Sequence, residues 1–414
     1  MTERRVVITG LGAVTPIGNN VKDFWKSCIE GKGGVGPITG FDASIFRSRI
    51  AGEVKNLDPT SHIDPKELRR MDKFVHYAVI AAKEALLDSG IDLSKEDTNR
   101  IGVLIGSGIG SLQVIEDQYN ILLAKGPNRM SPFLIPMLIV NMAPGQVAIQ
   151  LGLHGPNSCT ATACASGSHA IGDAFRIIQR GDADVMFCGG TESCVTRMGV
   201  GGFCAMHALS ERNDDPAHAS RPFDLERDGF VMAEGSGITM LEELEHAKRR
   251  QAKIYAEMAG YGMTGDAHHM TAPSPDGNGA ARCMTNAVKD AKFNIADISY
   301  INAHGTSTKL NDKIETLAIK TVFGECAKKI PVNSTKSMTG HLLGAAGGVE
   351  FIVCTKSIQE NIIHPTINYQ YPDPECDLDY VPNTSRKVKV DVALSNSLGF
   401  GGHNATVVIK RFKG

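Results

Sequence analysis

The sequence predicts an α/β protein whose sheets are covered by helices on both faces. Short runs rich in valine and isoleucine alternate along the chain with longer segments of helical periodicity, and glycines separate many of these segments. Strands that are buried on both faces have such continuous apolar runs, and helices must pack on both faces to bury them. The 414 residues suffice for two domains or for one domain of double size.

Each predicted element is assigned from its residue pattern. Consecutive aliphatic and β-branched residues, as in Val6-Val7-Ile8-Thr9, indicate strands, whereas apolar residues three and four positions apart, as in Ala170, Ala174 and Ile178, indicate helices. The predicted strands are Arg4–Thr9, Ile101–Gly106, Asp184–Gly189, Ile298–Ala303 and Val390–Leu394. The predicted helices are His76–Ser89, Ser168–Arg180, Gly279–Ala291, Asp312–Val322 and Ala345–Asn361. The charged, helix-like stretch Leu241–Arg250 marks the expected boundary between residues 1–250 and residues 251–414.

Composition and short motifs exclude several classes of protein. The net charge of −2 gives no reason to expect a nucleic-acid partner. Ten cysteines at irregular spacings, without a CxxC pair, argue against a disulfide framework and a zinc module, and they fit a reducing compartment. Gly10-Leu11-Gly12 follows the first strand, but Thr15 stands where a dinucleotide-binding turn needs its third glycine. No secretory signal and no membrane span is expected, so we predict a cytoplasmic protein.

The segment Thr162-Ala163-Cys164-Ala165-Ser166-Gly167 places one thiol among small residues at the start of a predicted helix. The unpaired N–H groups and the positive end of the helix dipole favour the thiolate there, and the thiolate is the nucleophile. Buried structural cysteines are nevertheless common, so this segment alone leaves both interpretations open.

Three segments after residue 300 have polar residues in small-residue turns. They are Asn302-Ala303-His304-Gly305-Thr306-Ser307-Thr308, Asn333-Ser334-Thr335-Lys336-Ser337-Met338-Thr339-Gly340-His341 and Ser395-Asn396-Ser397-Leu398-Gly399-Phe400-Gly401-Gly402-His403-Asn404. Because ligands bind at the carboxyl ends of parallel strands, we expect these turns to form one site with Cys164. The spacing of His304 and His341 does not match a zinc motif. The last turn is either a plain hairpin or a source of N–H groups for an oxyanion.

Together, these ordered motifs resemble the β-ketoacyl-[acyl-carrier-protein] synthases, from Val6 to Lys410. The resemblance also includes Arg221-Pro222-Phe223-Asp224 and Arg227-Asp228-Gly229-Phe230. It implies a thiolase-like α/β fold of five αβαβα layers built from two similar halves. It further implies a homodimer in which the partner helps to line the acyl pocket.

The resemblance assigns roles to individual residues. It makes Cys164 the acyl acceptor, His304 and His341 the histidine pair, Lys336 their electrostatic support, and the Phe400 N–H an oxyanion donor. It gives substrate-binding roles to Thr306 and Thr308, which match positions on the phosphopantetheine arm, to Ile109 at the bend of the acyl pocket, and to Phe203 and Gly399. Asp312, Glu315 and Glu350 match supporting acidic residues. Asn302, Glu350, Ser395 and Asn396 match positions around a structural Na⁺ or K⁺, and no other cofactor is required.

The implied reaction is the decarboxylative condensation of malonyl-ACP with an acyl-enzyme thioester, which extends a fatty acyl chain by two carbons. A thiolase would need a second cysteine in the last turn, and a non-catalytic chain-length partner would lack Cys164. Three positions depart from the family pattern: Leu398, Lys309-Leu310-Asn311 and His207. Because His207 replaces a common arginine, we expect the acidic carrier protein to rely more on a basic cluster, Lys66, Arg69, Arg70 and Lys73.

Overall fold

A ten-stranded sheet organises the chain in the computed structural model, which describes residues 4–414. The strands are β1 (Val6–Val14), β2 (Gly36–Pro37), β3 (Ile50–Ala51), β4 (Ile101–Gly106), β5 (Asn157–Ser158), β6 (Val185–Glu192), β7 (Gly235–Glu243), β8 (Ala256–Gly265), β9 (Tyr300–Asn302), β10 (Val332–Asn333), β11 (Ile362–Ile363), β12 (Arg386–Lys387), β13 (Val392–Gly399) and β14 (His403–Lys410). The helices are α1 (Val21–Glu30), α2 (Pro65–Leu68), α3 (Lys73–Ser89), α4 (Leu112–Lys125), α5 (Leu134–Leu138), α6 (Met142–Leu151), α7 (Ser166–Arg180), α8 (Arg197–Ala205), α9 (Leu244–Arg249), α10 (Asn278–Asp290), α11 (Lys309–Phe323), α12 (Lys336–Thr339) and α13 (Ala346–Glu360).

The sheet consists of two halves with the same topology. The first half has the strand order β5-β4-β6-β7-β1, and the second has β10-β9-β13-β14-β8. In each half, the first three strands of this order pair in parallel. The third strand with the fourth, and the fourth with the fifth, pair antiparallel. A short antiparallel pairing of β1 with β8 joins the halves. The predicted construction from two similar halves is therefore confirmed, although the sequence alone shows no duplication.

Three apolar clusters lie between the five layers of the fold, and the central cluster covers both faces of the middle helix layer. The central cluster contains residues of α7 and α13 together with residues of both half-sheets, such as Ala174, Ile352 and Val407. One outer cluster joins α3 to the first half-sheet, and the other joins α10 and α11 to the second. The layers thus run helix, sheet, helix, sheet, helix, which confirms the predicted αβαβα arrangement. None of the helices within residues 4–414 is both long and apolar enough to cross a membrane.

All ten elements predicted individually occur with the predicted type, but their ends shift by a few residues. Ile101–Gly106 has the predicted bounds, whereas β1 continues to Val14. The helical interpretation of Leu241–Arg250 was wrong at its start, because Leu241–Glu243 ends β7 and only Leu244–Arg249 is helical. Within this charged stretch, the buried Glu242 accepts hydrogen bonds from Arg250 and His246.

The two central helices approach each other through glycines. A Cβ atom on Gly167 of α7 would lie 2.9 Å from the Gly344 oxygen and 2.9 Å from the Gly348 nitrogen of α13. No side chain larger than hydrogen fits there without movement of backbone. This contact brings the N-terminal turns of α7 and α13 together, one from each half.

Candidate active site

Cys164 lies in a strained turn immediately before α7. Ala163–Ala165 forms a single 3₁₀ turn, and Ala163 has φ +50°, a conformation that costs an alanine of order 1 kcal/mol. The equivalent turn in the second half, Leu343–Ala345, precedes α13, and Leu343 also has φ +50°. The duplicated fold therefore places two such turns face to face, with the thiol on one and His341 just before the other.

The two predicted histidines meet above the sulfur. His304 follows β9, and its ring centroid lies 5.2 Å from that of His341, with the rings nearly perpendicular. The Cys164 sulfur and one ring nitrogen of each histidine lie within 4.8 Å of one another. Lys336, at the start of α12, has its Nζ 3.3 Å from Nδ1 of His304 and forms a buried ion pair with Glu350. The residues that the sequence analysis grouped as one site are therefore in contact.

Hydrogen bonds fix the same tautomer in both histidines. The Leu343 N–H donates to Nδ1 of His341 over 3.2 Å, and the Lys336 ammonium can only donate to Nδ1 of His304. In each neutral ring the proton must therefore reside on Nε2. The buried Nε2 of His341 has no hydrogen-bond partner in the part of the chain that the structure describes. Both rings thus offer N–H donors to the space beside Cys164.

Electrostatics keep the histidines neutral. Burial, and then the positive charge of Lys336, lower the pKa of His304 and of His341 well below the usual range. A zinc-binding histidine needs a free nitrogen toward the metal and usually donates its other N–H to an acceptor. Here both Nδ1 atoms face donors and a lysine charge is adjacent, so the cluster suits a developing negative charge rather than a metal dication.

The thiol of Cys164 differs from its expected state. Burial raises its pKa to about 12, although the Lys336 charge and the N–H groups of Phe400 and of Cys164 itself act in the opposite direction. The N–H groups at the helix start favour the thiolate as expected, but desolvation of this 7% exposed residue outweighs them. The free site holds a neutral thiol.

The glycine-rich turn near the C-terminus is a hairpin loop and also supplies an N–H group to the site, so both alternatives considered from the sequence apply. It is the loop of the β13–β14 hairpin, in which Gly401 and Gly402 have φ +83° and +73°. It also directs the Phe400 N–H toward the Cys164 sulfur. Gly399 is required by close packing, since a Cβ there would lie 2.7 Å from the Thr162 oxygen. Two backbone donors, those of Cys164 and Phe400, therefore flank the sulfur.

A pocket of about 360 Å³ opens onto these groups. Its lining includes the predicted site residues Cys164, Phe203, His304, Thr306, Thr308, His341, Gly399 and Phe400, and also the positions that depart from the family pattern, His207, Lys309, Leu310, Asn311 and Leu398. The Thr306 and Thr308 hydroxyls are 2.9 Å apart. Ile109 does not line this pocket but packs with Phe203 in the apolar cluster around Cys164.

The predicted acidic residues have separate structural contacts. Both oxygens of Glu315 accept backbone bonds, from the N–H groups of His304 and Gly305 at 2.8 Å each. Asp312 accepts the Phe223 N–H and lies 3.5 Å from Arg227, so it holds a neighbouring turn without contacting the sulfur or the histidines. Glu350 contacts Lys336 alone among the catalytic candidates.

Two supporting residues were missed from the sequence. Arg227 donates to the carbonyls of Thr308 and Lys309 and to Asp373, which fixes the turn at the pocket entrance. Its motif was noticed, but nothing in the sequence indicated this contact. Glu192 ends β6 as a single acid after an apolar strand, and it accepts hydrogen bonds from both halves. A lone acid at the end of a buried strand was the only available signal.

The candidate cation-binding residues leave three oxygens unsatisfied. Asn302 Oδ1, Glu350 Oε2 and Ser395 Oγ are buried and have no hydrogen-bond partner among the described residues. Asn302 and Ser395 are paired across β9 and β13, which places their side chains in neighbouring strands. The side chain of Asn396 is already hydrogen-bonded to Glu315 and Thr406, so the backbone carbonyl of Asn396 is the group left to contact a cation. Oxygen ligands of this kind fit a hard monovalent cation.

We expect alkylation of Cys164 to be slow near neutral pH and to accelerate about tenfold per pH unit up to about pH 10, because its pKa is raised to about 12 and only the thiolate reacts. Peptide mass spectrometry after timed iodoacetamide treatment measures this rate. Lys336→Met should slow the reaction at every pH, since it removes the charge that favours the thiolate. A plateau below about pH 9 would contradict the assignment.

Comparison with known proteins identifies the family and supports the fold. Residues 3–247 match the family described as "Beta-ketoacyl synthase, N-terminal domain", and residues 255–370 match "Beta-ketoacyl synthase, C-terminal domain". The "3-oxoacyl-[acyl-carrier-protein] synthase 2" of Synechocystis sp. is 58% identical over 100% of this chain and 99% of that protein. The protein of the same name from Staphylococcus aureus (strain COL) is 54% identical over 99% of both chains.

Solved structures agree with these relatives. The ketosynthase in a type II PKS complex with its acyl-carrier protein has a TM-score of 0.92 and 39% identity, covering 100% of both chains. A β-ketoacyl synthase from Burkholderia phymatum STM815 has a TM-score of 0.92 and 35% identity over 99% of this chain and 100% of that one. With two family domains matched across most of its length, the chain belongs to the β-ketoacyl synthase family of condensing acyltransferases, which has the thiolase-like fold.

Proposed function

We propose that the chain is a 3-oxoacyl-[acyl-carrier-protein] synthase that elongates fatty acyl chains in the cytoplasm. The observation that carries the proposal is one thiol flanked by two backbone N–H groups and two neutral Nε2–H donors at the base of a pocket. The names of the relatives in Synechocystis and Staphylococcus aureus support it. The unpaired cysteines support a reducing compartment.

Acyl transfer comes first. The Cys164 sulfur attacks the thioester carbonyl of acyl-ACP, and the oxygen becomes an oxyanion held by the N–H groups of Cys164 and Phe400. The C–S bond to the carrier then breaks. The thiol proton of Cys164 ends on the departing phosphopantetheine sulfur, so the step needs no net base despite the raised pKa of the thiol.

Condensation follows on malonyl-ACP. The bond between the malonyl α-carbon and its carboxylate breaks, CO₂ leaves, and the electron pair remains as an enolate. The Nε2–H groups of His304 and His341 stabilise the enolate oxygen, and because both rings are neutral they donate without giving up a proton. The enolate carbon attacks the acyl-enzyme, the C–S bond breaks, and the Cys164 thiolate takes a proton from solvent. The product is a 3-oxoacyl-ACP two carbons longer.

A thiolase reaction on coenzyme A esters fits the site less well. Among the residues that line the pocket, Cys164 is the one cysteine, and the β13–β14 turn carries Phe400 in place of a second thiol. A thiolase uses such a second cysteine as a base. The neutral histidine pair instead suits a substrate that loses its carboxylate.

We propose the basic cluster as the docking surface for the acidic carrier protein. Lys66, Arg69, Arg70 and Lys73 are all exposed at the end of α2 and the start of α3. Arg70 is partly engaged, because it pairs with Glu67 and lies over the Phe133 ring. His207 at the pocket mouth contacts the Arg47 guanidinium, so Arg47 offers a positive charge near the position where relatives have arginine.

We also propose a homodimer. The two-residue strand β5 ends the first half-sheet, and both of its residues are exposed. The α5 region, which α6 separates from β5 in the chain, exposes Phe133, Ile135 and Ile139. A second copy of the chain can cover an open sheet edge and an exposed apolar patch of this kind.

Replacing the nucleophile tests the reaction itself. Cys164→Ala should abolish elongation of acyl-ACP, whereas Cys164→Gln, which resembles an acylated cysteine, should still release CO₂ from malonyl-ACP without condensation. Product analysis by mass spectrometry and CO₂ release measure the two activities. Cys204→Ala, a buried cysteine of the same apolar cluster, is the matched control and should keep elongating. Undiminished turnover in Cys164→Ala would refute the mechanism.

Charge reversal tests carrier docking. The double variant Lys66→Glu, Arg69→Glu should raise KM for acyl-ACP about tenfold at low salt and leave kcat nearly unchanged, because rim charges act on association. A small acyl thioester without the carrier protein should be used equally well by variant and parent. The control pair Lys387→Glu, Lys389→Glu reverses exposed charges outside the cluster. Equal KM for all three proteins would exclude docking at this surface.

Sedimentation equilibrium tests the assembly. A homodimer should have twice the 44.3 kDa mass of the chain, and Ile135→Asp should shift it toward the single-chain mass by placing a charge in the buried interface. Leu225→Asp, a substitution at another exposed apolar residue, is the control. A parent protein that sediments as a single chain at micromolar concentration contradicts the proposal.

A structural Na⁺ or K⁺ would neutralise the second oxygen of Glu350. Thermal unfolding should then occur about 2 °C or more higher in KCl or NaCl than in tetramethylammonium chloride of equal ionic strength. Ser395→Ala removes one of the three unsatisfied oxygens and should abolish the difference between salts. Identical unfolding temperatures of the parent in all three salts would rule out the cation.

A further inference from the structure

Glu192 joins the two halves of the protein at the catalytic pocket. Its Oε1 accepts hydrogen bonds from the Ser107 hydroxyl at 2.9 Å and from the Ile109 N–H at 3.3 Å. Its Oε2 accepts from the Gly108 N–H at 2.7 Å and from the Gly344 N–H at 3.1 Å. The first three donors belong to the turn after β4, and the last belongs to the turn before α13. One fully buried carboxylate therefore holds two loops that are distant in sequence.

The duplicated fold gives this contact a specific meaning. Cys164 and Gly344 are the middle residues of the two equivalent turns, Ala163–Ala165 and Leu343–Ala345. The Cys164 N–H faces the reacting sulfur, whereas the equivalent N–H, that of Gly344, is occupied by Glu192. Glu192 therefore fills, in the opposite half, the position that corresponds to the oxyanion site. Because its N–H is already hydrogen-bonded to Glu192, the second turn cannot bind a substrate oxygen, and Glu192 holds this turn in position.

Both loops that Glu192 holds touch the site. Ile109, whose N–H is bound, packs in the apolar cluster around Cys164 with Phe203. Leu343, next to Gly344, lies in the same cluster, and its N–H fixes the tautomer of His341. The loops are tightly apposed, since a Cβ on Gly344 would lie 2.5 Å from the Gly108 nitrogen. A shift of the β4 turn would therefore move Ile109, which packs against the apolar cluster that contains Cys164.

We propose that Glu192 is a positioning residue that sets acyl-chain preference by holding the Ile109 turn against the Gly344 turn. This inference rests on the proposed condensation and concerns the shape of the acyl pocket; the Glu192 charge also raises the pKa of Cys164, an effect that is the same for every acyl substrate. A carboxylate is suited to this position because all four of its partners are donors. Glutamine has one acceptor oxygen, and in either orientation its NH₂ group would face two of those donors.

The test compares Glu192→Gln with Glu84→Gln. Glu84 is a half-buried carboxylate that also accepts two backbone N–H groups, those of Ala13 and Val21, but it lies in the outer layer on α3 and lines no part of the pocket. We measure kcat/KM for hexanoyl-ACP and for tetradecanoyl-ACP. Glu192→Gln should change the ratio of the two values about tenfold, since buried donors left unpaired free the turn. Glu84→Gln should leave the ratio unchanged.

Ser107→Ala provides a second reading if Glu192→Gln does not fold. It removes one donor to Oε1 and should shift the chain-length ratio in the same direction by a smaller factor. An unchanged ratio in a folded Glu192→Gln or Ser107→Ala protein, or an equal loss for both substrates, would overturn the inference. Failure of the parent protein to elongate either substrate would instead refute the proposed function, so the two failures are distinguishable.

Discussion

The contact between the N-terminal ends of α7 and α13 is the constraint on which the site depends. Glycine at positions 167, 344 and 348 lets two backbones meet at a distance that any side chain would prevent. Each helix follows a strained turn at φ +50°, so the two equivalent turns, one of which carries Cys164, meet where the helices meet. The nucleophile and its own N–H come from one half, whereas both histidines and the Phe400 N–H come from the other, so neither half alone contains the whole site.

Burial then shifts the pKa of the ionisable side chains where the two turns meet. Desolvation favours neutral forms, which lowers the pKa of both histidines and raises that of the thiol and of Glu350. Lys336 forms a buried ion pair with Glu350 in the same region. Neutral donors around a single positive charge form an environment that stabilises an anion as it develops and does not hold one in advance.

Much of the fold was accessible from the sequence because buried strands and amphipathic helices have distinct periodicities. Ile101–Gly106 is an uninterrupted apolar run, and its bounds were predicted correctly. Two-residue strands such as β5 and β10 leave no pattern, since their pairing is decided by the neighbouring strand. The end of β7 was mistaken for a helix because it belongs to a charged, helix-like stretch of sequence. The sequence does not show that Glu242 is buried in an ion pair with Arg250.

The sequence grouped residues that the structure brings together at the candidate site, but it did not indicate the pKa of the thiol. Polar turns after strands identified Cys164, His304 and His341, because their residue types carry the chemistry. The pKa of the thiol depends on how completely the pocket excludes water, which no local pattern records. The role of Glu192 depends on a hydrogen bond to Gly344 across the duplicated fold, which no spacing along the chain reveals.

The protonated resting sulfur has a consequence for survival of the protein in the cell. Peroxides and disulfides react with thiolates, and the rate follows the fraction of thiolate and its exposure. A buried thiol with a raised pKa is a poor target for both, so the nucleophile is protected until an acyl thioester enters the pocket. Resistance to oxidation and readiness for acyl transfer thus come from the same dry environment.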